Sequence, residues 1–245
     1  MFALVSAAES TPVVRRIDQM IPRCLESAFF SMGSFLASEP RFSLVKGVWK
    51  TIVGYGGGRS SAPSYGDVGD HSEVIMVKYD PQAVTYGQLL ELFLLWCSRS
   101  PGRALLPASL SSPSSPSSSS SFSFVSPRRA FRIFVKNASE RRLAHAAIER
   151  CACSEGGPAF VRVSPSGAFH EAERWCQKYF LRSSTWLMQE LRVSYPDEES
   201  LLRSTLAARL NGILGLPPYT ACLPEEIELY DLSEAASLTL KRLLS

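Results

Sequence analysis

Alternating and continuous apolar runs, separated by turns rich in glycine and proline, divide this chain into short elements. Alternation with β-branched and aromatic residues predicts strands, whereas apolar positions three or four residues apart predict helices. The pattern predicts strands over residues 28–32, 49–54, 74–79 and 131–136, and helices over residues 35–44, 86–96, 141–150, 199–210 and 233–244. Helices are interleaved with strands, and the two middle strands follow one another directly. This order indicates an α+β fold.

Two helix ends carry recognisable capping residues. Asn137, with Glu140 in the first turn after it, is a good N-cap for the helix predicted over residues 141–150. Gly212 follows the apolar pattern of residues 199–210 and is therefore predicted to end that helix as a C-cap.

Residues 107–127 form a low-complexity stretch dominated by serine and proline. Such a composition buries too little apolar surface to offset the entropy lost on ordering. We therefore predict a disordered insertion, after which the strand pattern resumes. An alternative explanation for the stretch is an exon boundary placed wrongly in the gene.

Composition indicates a soluble protein with one sizeable core. The chain has 245 residues, 45% of them hydrophobic, and a formal net charge of +3, which gives no electrostatic reason to expect nucleic acid. No apolar run approaches the ~20 residues needed to cross a bilayer, so no membrane partner is expected. Residues 1–8 are either the remnant of a signal peptide or an ordinary disordered start. Cytoplasm or plastid is slightly favoured over the secretory pathway.

The six cysteines do not form the dense framework of a small secreted protein. Cys151 and Cys153 make a lone C-x-C without a second pair or a nearby histidine, which is too few ligands for a structural zinc site. We expect free structural thiols and no metal.

Three blocks of sequence occur in a characteristic order and spacing. Residues 32–42 read M-G-S-F-L-A-S-E-P-R-F, residues 47–58 read G-V-W-K-T-I-V-G-Y-G-G-G, and residues 63–81 run from P-S-Y to G-D-H-S-E-V-I-M-V-K-Y-D-P. Together they resemble the peptide methionine sulfoxide reductase A family. Residues 169–179, F-H-E-A-E-R-W-C-Q-K-Y, resemble a later block, and residues 204–212 resemble an extension of a plant subgroup that also carries serine at the nucleophile position.

The resemblance implies a two-layer α+β sandwich, with a mixed, mainly antiparallel sheet flanked by helices. It places the family domain at residues 27–182, interrupted by the insertion at 107–127. Residues 1–26 are then an N-terminal extension and residues 183–245 a helical C-terminal extension.

The resemblance also implies a chemistry and a pocket. In the family, a cysteine thiolate attacks the sulfoxide sulfur, an acid protonates the departing oxygen, and a second thiol and thioredoxin restore the enzyme. At matching positions, Tyr55 would hydrogen-bond the sulfoxide oxygen and Glu73 would be the acid, while Phe35, Leu36 and Glu39 would bind substrate. Leu36 replaces a tryptophan of the aromatic wall. Glu39 has an equally good interpretation as a member of an ion pair on the helix surface.

Ser34 stands at the position of the nucleophilic cysteine. A serine hydroxyl ionises far less readily than a thiol, and serine has no counterpart to the oxidation of cysteine to sulfenic acid and disulfide. Ser34 therefore cannot take up the oxidising equivalent of a sulfoxide, and a role as helix N-cap suits it better. Family positions also change at Ser100 and Ala130, where an aspartate and a tyrosine are replaced.

Two functions follow. The first is a peptide-methionine (S)-S-oxide reductase that uses another thiol, with Cys97, Cys176 and Cys222 as possible redox thiols and thioredoxin or another thiol as reductant. The second is a non-catalytic homologue that binds oxidised methionine or acts as a scaffold. Oxidised-methionine peptides or proteins are the expected partners of a monomer, and no bound cofactor is expected.

Overall fold

The computed structural model describes residues 14–99, 127–152, 161–195, 197–216 and 224–244. The predicted disorder of residues 107–127 lies outside the described residues, apart from Pro127, as do residues 1–13, Ser100, Cys153 and Cys222. Among the residues that the structure describes, no helix is long and apolar enough to cross a membrane.

Six strands and nine α-helices make up the described part of the chain. The strands are β1 (Glu26–Met32), β2 (Val48–Gly56), β3 (Ser72–Tyr79), β4 (Phe131–Val135), β5 (Arg162–Pro165) and β6 (Phe169–Glu171). The helices are α1 (Arg16–Gln19), α2 (Phe35–Ser43), α3 (Tyr86–Ser98), α4 (Ala138–Ala152), α5 (Tyr179–Ser183), α6 (Thr185–Leu191), α7 (Glu198–Leu202), α8 (Thr205–Gly215) and α9 (Glu234–Leu244). Short 3-10 helices cover Pro127–Arg129, Arg174–Cys176 and Pro224–Leu229.

The strands form one mixed sheet in the order β5-β4-β1-β3-β2-β6. β4 and β5 are parallel, whereas the other neighbouring pairs are antiparallel. The predicted α+β fold with a mainly antiparallel sheet and flanking helices is confirmed. In this order β2 and β3 are neighbours. Their antiparallel register places the main residues of the candidate site directly opposite one another.

Two apolar clusters hold the described residues together. The first packs β1–β4 against α3 and α4, with Phe30 stacked between Phe42 and Phe93 at ring-centroid distances of 5.0 Å. The second joins α1 to the helices after residue 180 and includes Ile17 and Leu206. Because α1 precedes the sheet in sequence yet packs with the last helices, both ends of the described chain meet on one side of the molecule.

The predicted helix over residues 199–210 is wrong in its extent. It is two helices, α7 and α8, separated at Arg203 and Ser204. The Ser204 side chain accepts a hydrogen bond from the backbone N–H of Ala207, which caps a new helix at this point. A strong N-cap residue inside the apolar pattern therefore starts a second helix, and the first helix does not continue through it.

The predicted C-cap at Gly212 is also wrong. Gly212 lies inside α8, where a side-chain carbon at this position would come within 2.6 Å of Leu44. Glycine is present because α8 crosses α2 so closely that no Cβ fits. This close crossing fixes the C-terminal half of α2, whose N-terminal end carries the candidate site.

Candidate functional site

The site begins where β1 turns into α2. Gly33 adopts a positive φ of 72°, a conformation that glycine reaches without strain and that turns the chain from strand to helix. Ser34 then occupies the N-cap position in an extended conformation, but its side chain makes no capping hydrogen bond. The backbone N–H of Phe35 instead donates to Glu73 Oε2 at 2.9 Å. The predicted N-cap position of Ser34 is observed, whereas the capping group is a glutamate from the neighbouring strand.

Tyr55 and Glu73 face each other across β2 and β3. Their Cα positions are direct partners in the antiparallel register, so both side chains lie on the same face of the sheet. Tyr55 is fully buried and Glu73 is 1% exposed. The sheet register therefore brings together the two residues for which the resemblance implied contact with the sulfoxide oxygen.

Both oxygens of Glu73 are engaged as hydrogen-bond acceptors. Oε2 accepts from the N–H of Phe35, and Oε1 forms an ion pair with Arg128 Nε at 2.5 Å. Arg128 follows the serine- and proline-rich stretch and lies in the short 3-10 helix before β4. The Glu73 carboxyl group is therefore held between the N-terminus of α2 and the Arg128 guanidinium.

Arg128 is held by more than its ion pair. Its Nη1 donates to the backbone oxygen of Tyr65 at 3.0 Å, and its guanidinium carbon lies 4.4 Å from the centre of the Tyr65 ring. Burial disfavours the charged guanidinium, but the hydrogen bond and the charge of Glu73 outweigh burial and raise the pKa of Arg128. The guanidinium is thus fixed between a carboxylate and an aromatic face.

The Tyr55 hydroxyl is also committed to a neighbour. It donates to Glu173 Oε2 at 2.8 Å, while Glu173 Oε1 accepts the backbone N–H of Tyr65 at 2.8 Å. Burial, followed by the hydrogen bond and charge of Glu173, raises the pKa of Tyr55. Burial works against ionisation of Glu173, but the N–H and hydroxyl donors outweigh it and lower the pKa of that carboxyl. Tyr55 therefore remains a neutral hydroxyl.

Aromatic rings line the site on one side. The Phe35 ring lies 5.7 Å from Tyr55 and 6.3 Å from Tyr65, and the Tyr65 ring meets the edge of Trp175 at 4.6 Å. Trp175 is 44% exposed, so it lies at the outer end of this row. Leu36, at the position of the family's tryptophan, is half-buried and packs against the main core. The row provides an apolar wall to which Tyr65 and Trp175 contribute.

Glu39 points into a different environment. It is fully buried, and its Oε1 lies 2.6 Å from Lys178 Nζ and 2.9 Å from Thr51 Oγ1. Its Oε2 accepts from the backbone N–H of Lys178 and from Asn211 Nδ2 at 3.2 Å. These are the contacts of a structural ion pair, buried rather than on the helix surface, and they leave no carboxylate oxygen for a substrate.

The redox candidates separate in space. Cys97 is buried within the core on α3, and burial raises its pKa, which Arg41 only partly offsets. Cys176 lies at the site, with its Sγ 3.9 Å from Glu173 Oε2. Burial and the negative charge of Glu173 raise the pKa of Cys176 to about 12. Cys222 lies outside the described residues. Of the thiols that the structure describes, Cys176 is therefore the one beside Tyr55 and Glu173.

This arrangement predicts unequal cysteine reactivity. In the folded protein at about pH 8, a thiol with a pKa of about 12 is ionised in roughly one molecule in ten thousand, and the thiolate is the reactive form. We expect iodoacetamide to label the exposed Cys24 at least about 100-fold faster than Cys176. Peptide mass spectrometry of quenched time points measures both rates. After unfolding in urea the two cysteines should react alike, and equal rates before unfolding would contradict the geometry.

Sequence reasoning missed three members of the site. Glu173 was visible in the A-E pair of residues 169–179, and Tyr65 in the block starting at residue 63. Arg128 had no sequence signal, because its placement depends on how the chain re-enters the fold before β4. Among the residues that the structure describes, no group of three or more histidine, cysteine, aspartate or glutamate side chains could hold a metal ion.

The candidate site thus consists of a helix N-terminus that faces a buried glutamate and tyrosine on adjacent strands, beside an aromatic wall. The family model described as Peptide methionine sulfoxide reductase matches residues 26–101. That region contains β1–β3, α2 and α3, and hence Ser34, Tyr55 and Glu73.

Full-length relatives extend the match into the C-terminal half. Peptide methionine sulfoxide reductase A5 from Oryza sativa subsp. japonica is 36% identical over 188 residues, covering 76% of this chain and 67% of the relative. Peptide methionine sulfoxide reductase A5 from Arabidopsis thaliana is 32% identical over 219 residues, covering 86% of this chain and 79% of the relative. The chain therefore belongs to the peptide methionine sulfoxide reductase A family.

A solved structure supports the fold. Reduced Mxr1 from Saccharomyces cerevisiae superposes with a TM-score of 0.50 at 19% identity, covering 67% of this chain and 88% of that chain. At this identity the likeness concerns the architecture of the sheet and its helices.

Proposed function

We propose that this chain acts on methionine sulfoxide in peptides and proteins, as a protein of the peptide-methionine (S)-S-oxide reductase type. The observation that carries the proposal is the convergence of Phe35, Tyr55 and Glu73 at the N-terminus of α2. Three side chains from separate elements meet there, at the positions to which the resemblance assigns the substrate site. The aromatic wall accommodates the methyl and methylene groups beside the sulfur.

The reduction needs a thiol, and residue 34 does not supply one. In the balanced step, a thiol sulfur attacks the sulfoxide sulfur, oxygen passes to the thiol sulfur as a sulfenic acid, and methionine is released as its thioether. A dithiol then reduces the sulfenic acid, forming a disulfide and water. Cys176 is our candidate for the attacking thiol because it lies beside Tyr55 and Glu173.

The partners follow from this chemistry. We propose that oxidised-methionine peptides or proteins are the substrates, and that thioredoxin or another dithiol regenerates Cys176. No step calls for a bound cofactor or a second subunit, and we propose that the protein works as a monomer, in the cytoplasm or plastid. Residues 27–182 would form the family domain and residues 183–245 a C-terminal extension, of which α8 packs on α2.

A second candidate function is recognition of methionine sulfoxide without reduction. The observation in its favour is the state of the pocket's proton donors and thiol. The Tyr55 hydroxyl is bonded to Glu173, the Glu73 oxygens are bonded to Phe35 and Arg128, and Cys176 has a pKa of about 12. A site in this state is better suited to binding a sulfoxide than to transferring the sulfoxide oxygen to a thiol.

One experiment separates these functions. A peptide with one methionine-(S)-sulfoxide is incubated with the protein and dithiothreitol, and the methionine formed is measured by mass spectrometry. We expect slow conversion that is lost in Cys176→Ser, reduced about 100-fold or more in Glu73→Gln, and unchanged in Cys97→Ser and in Glu91→Gln, a control on the exposed face of α3. Binding without conversion, measured by calorimetry, would establish the second function. Absence of both binding and conversion would refute the proposal.

A further inference from the structure

Arg128 is the one cation whose bonds reach Glu73 within the described residues, and it lies among groups that the family assigns to the sulfoxide. Its side chain is 26% exposed. Nε contacts Glu73 and Nη1 contacts the backbone oxygen of Tyr65. Among the described residues, Nη2 has no hydrogen-bond partner. The guanidinium thus keeps N–H donors available at the pocket.

Tyr55 and Glu73, the two polar residues that face each other across the strands, are both engaged. The Tyr55 hydroxyl donates its hydrogen bond to Glu173 Oε2. Glu73 accepts at both oxygens, from Phe35 and from Arg128. Beside these two engaged residues, Arg128 keeps N–H groups that a ligand oxygen could use.

The charges around Arg128 indicate which kind of ligand oxygen would bind there. Arg128 is neutralised by Glu73, so the pair carries no net charge toward a ligand. A carboxylate or phosphate would find no uncompensated cation here and would lie near the buried Glu73 carboxylate. A neutral, strongly polar oxygen next to an apolar group fits better, because Phe35, Tyr65 and Trp175 line the adjacent wall. The sulfoxide of methionine has this combination.

We propose that Arg128 is the specificity-determining residue for the oxidised side chain, and that its free N–H groups donate to the sulfoxide oxygen. This inference rests on the proposed function and names the group that recognises the oxygen. In the observed arrangement the Tyr55 hydroxyl bonds to Glu173 and the Glu73 oxygens bond to Phe35 and Arg128, so Arg128 adds a donor beside them. The Tyr65 ring holds the guanidinium plane in place during binding.

The test compares one peptide in two states, with methionine or with methionine sulfoxide, by isothermal titration calorimetry. Loss of a hydrogen bond to a charged donor is expected to weaken binding of the oxidised peptide about 10- to 100-fold in Arg128→Ala. The unoxidised peptide should bind both proteins equally weakly. Arg129→Ala is the matched control, because Arg129 is its exposed neighbour in the same 3-10 helix. We expect its preference for the oxidised peptide to equal that of the unmodified protein.

Arg128→Lys guards against loss of folding. It keeps a positive charge for the buried Glu73 carboxylate but replaces the planar, five-donor guanidinium by a compact ammonium, which cannot hold Glu73, Tyr65 and a ligand oxygen in the same fixed geometry. We expect a folded protein by circular dichroism with a clearly reduced preference for the oxidised peptide. If folded Arg128→Ala or Arg128→Lys kept the full preference for the oxidised peptide, the role of Arg128 would be overturned and the proposed function would stand. Failure of the unmodified protein to bind the oxidised peptide would overturn the proposed function itself.

Discussion

Lys178→Met is expected to lower the free energy of unfolding by about 3–5 kcal/mol, the usual cost of leaving one partner of a buried ion pair uncompensated. Lys178 and Glu39 are both fully buried, and Lys178 Nζ also donates to the backbone oxygen of Thr51 at 2.6 Å. Methionine matches the length of lysine, so lost packing contributes little. Urea unfolding followed by circular dichroism measures the change.

The buried ion pair also predicts how a second substitution, at Glu39, alters the stability of Lys178→Met. Replacing Glu39 by glutamine in the Lys178→Met background removes the unpaired charge, so the double variant should be more stable than the single one. The matched control is Lys241→Met, which breaks an exposed lysine–glutamate pair with Glu228 and should leave stability near that of the unmodified protein. A Lys178→Met protein as stable as this control would mean that the buried pair is not formed.

Ser34→Cys is expected to increase the rate of dithiothreitol-dependent sulfoxide reduction about 10- to 100-fold. At about pH 8, a cysteine with the ordinary pKa of ~8.5 has about a thousandfold larger thiolate fraction than Cys176, and the lower intrinsic reactivity of the less basic thiolate offsets part of this advantage. The N-terminus of α2 also favours a negative charge at this position. Initial rates of methionine formation from the sulfoxide peptide measure the gain.

A serine elsewhere shows whether position matters. Ser61 lies exposed in the loop between β2 and β3, and Ser61→Cys adds a thiol without placing it at the pocket. We expect its rate to match that of the unmodified protein. If Ser34→Cys folds and binds the oxidised peptide but reduces it no faster, the pocket has lost more than its nucleophile, and the Arg128–Glu73 pair becomes the next residue pair to change.

The sequence pattern predicted the centre of the fold well because local and tertiary preferences agree there. β1 and β3 have continuous apolar runs, and α3 combines an amphipathic pattern with a Thr85–Gln88 capping box. The C-terminal helices were predicted less well. The break at Ser204 depends on a single capping side chain, and Gly212 is needed for the close approach of α8 to Leu44 rather than for a helix end. Neither cause is visible in hydrophobic periodicity.

The sequence predicted the part of the site that lies on neighbouring strands. It did not predict the contacts made by segments that are distant along the chain. The spacing of the sequence blocks was enough to select Tyr55 and Glu73, and their strands then align them. The partners of their polar atoms, Glu173 and Arg128, come from segments more than fifty residues further along the chain. Glu39 was harder, because only the folded chain reveals Lys178 as its partner.

The crossing of α2 and α8 bears on the shortest fragment that can carry this site intact. The matched family region, residues 26–101, ends before Arg128 and Glu173 and so holds only half of the polar groups around the pocket. A fragment ending at residue 182 includes both but removes α8, and with it Asn211, which bonds to Glu39. α2, which begins at Phe35, would then lose the helix against which its C-terminal half packs. Because α8 packs against α2, we expect a fragment that keeps the site intact to extend at least through Gly215.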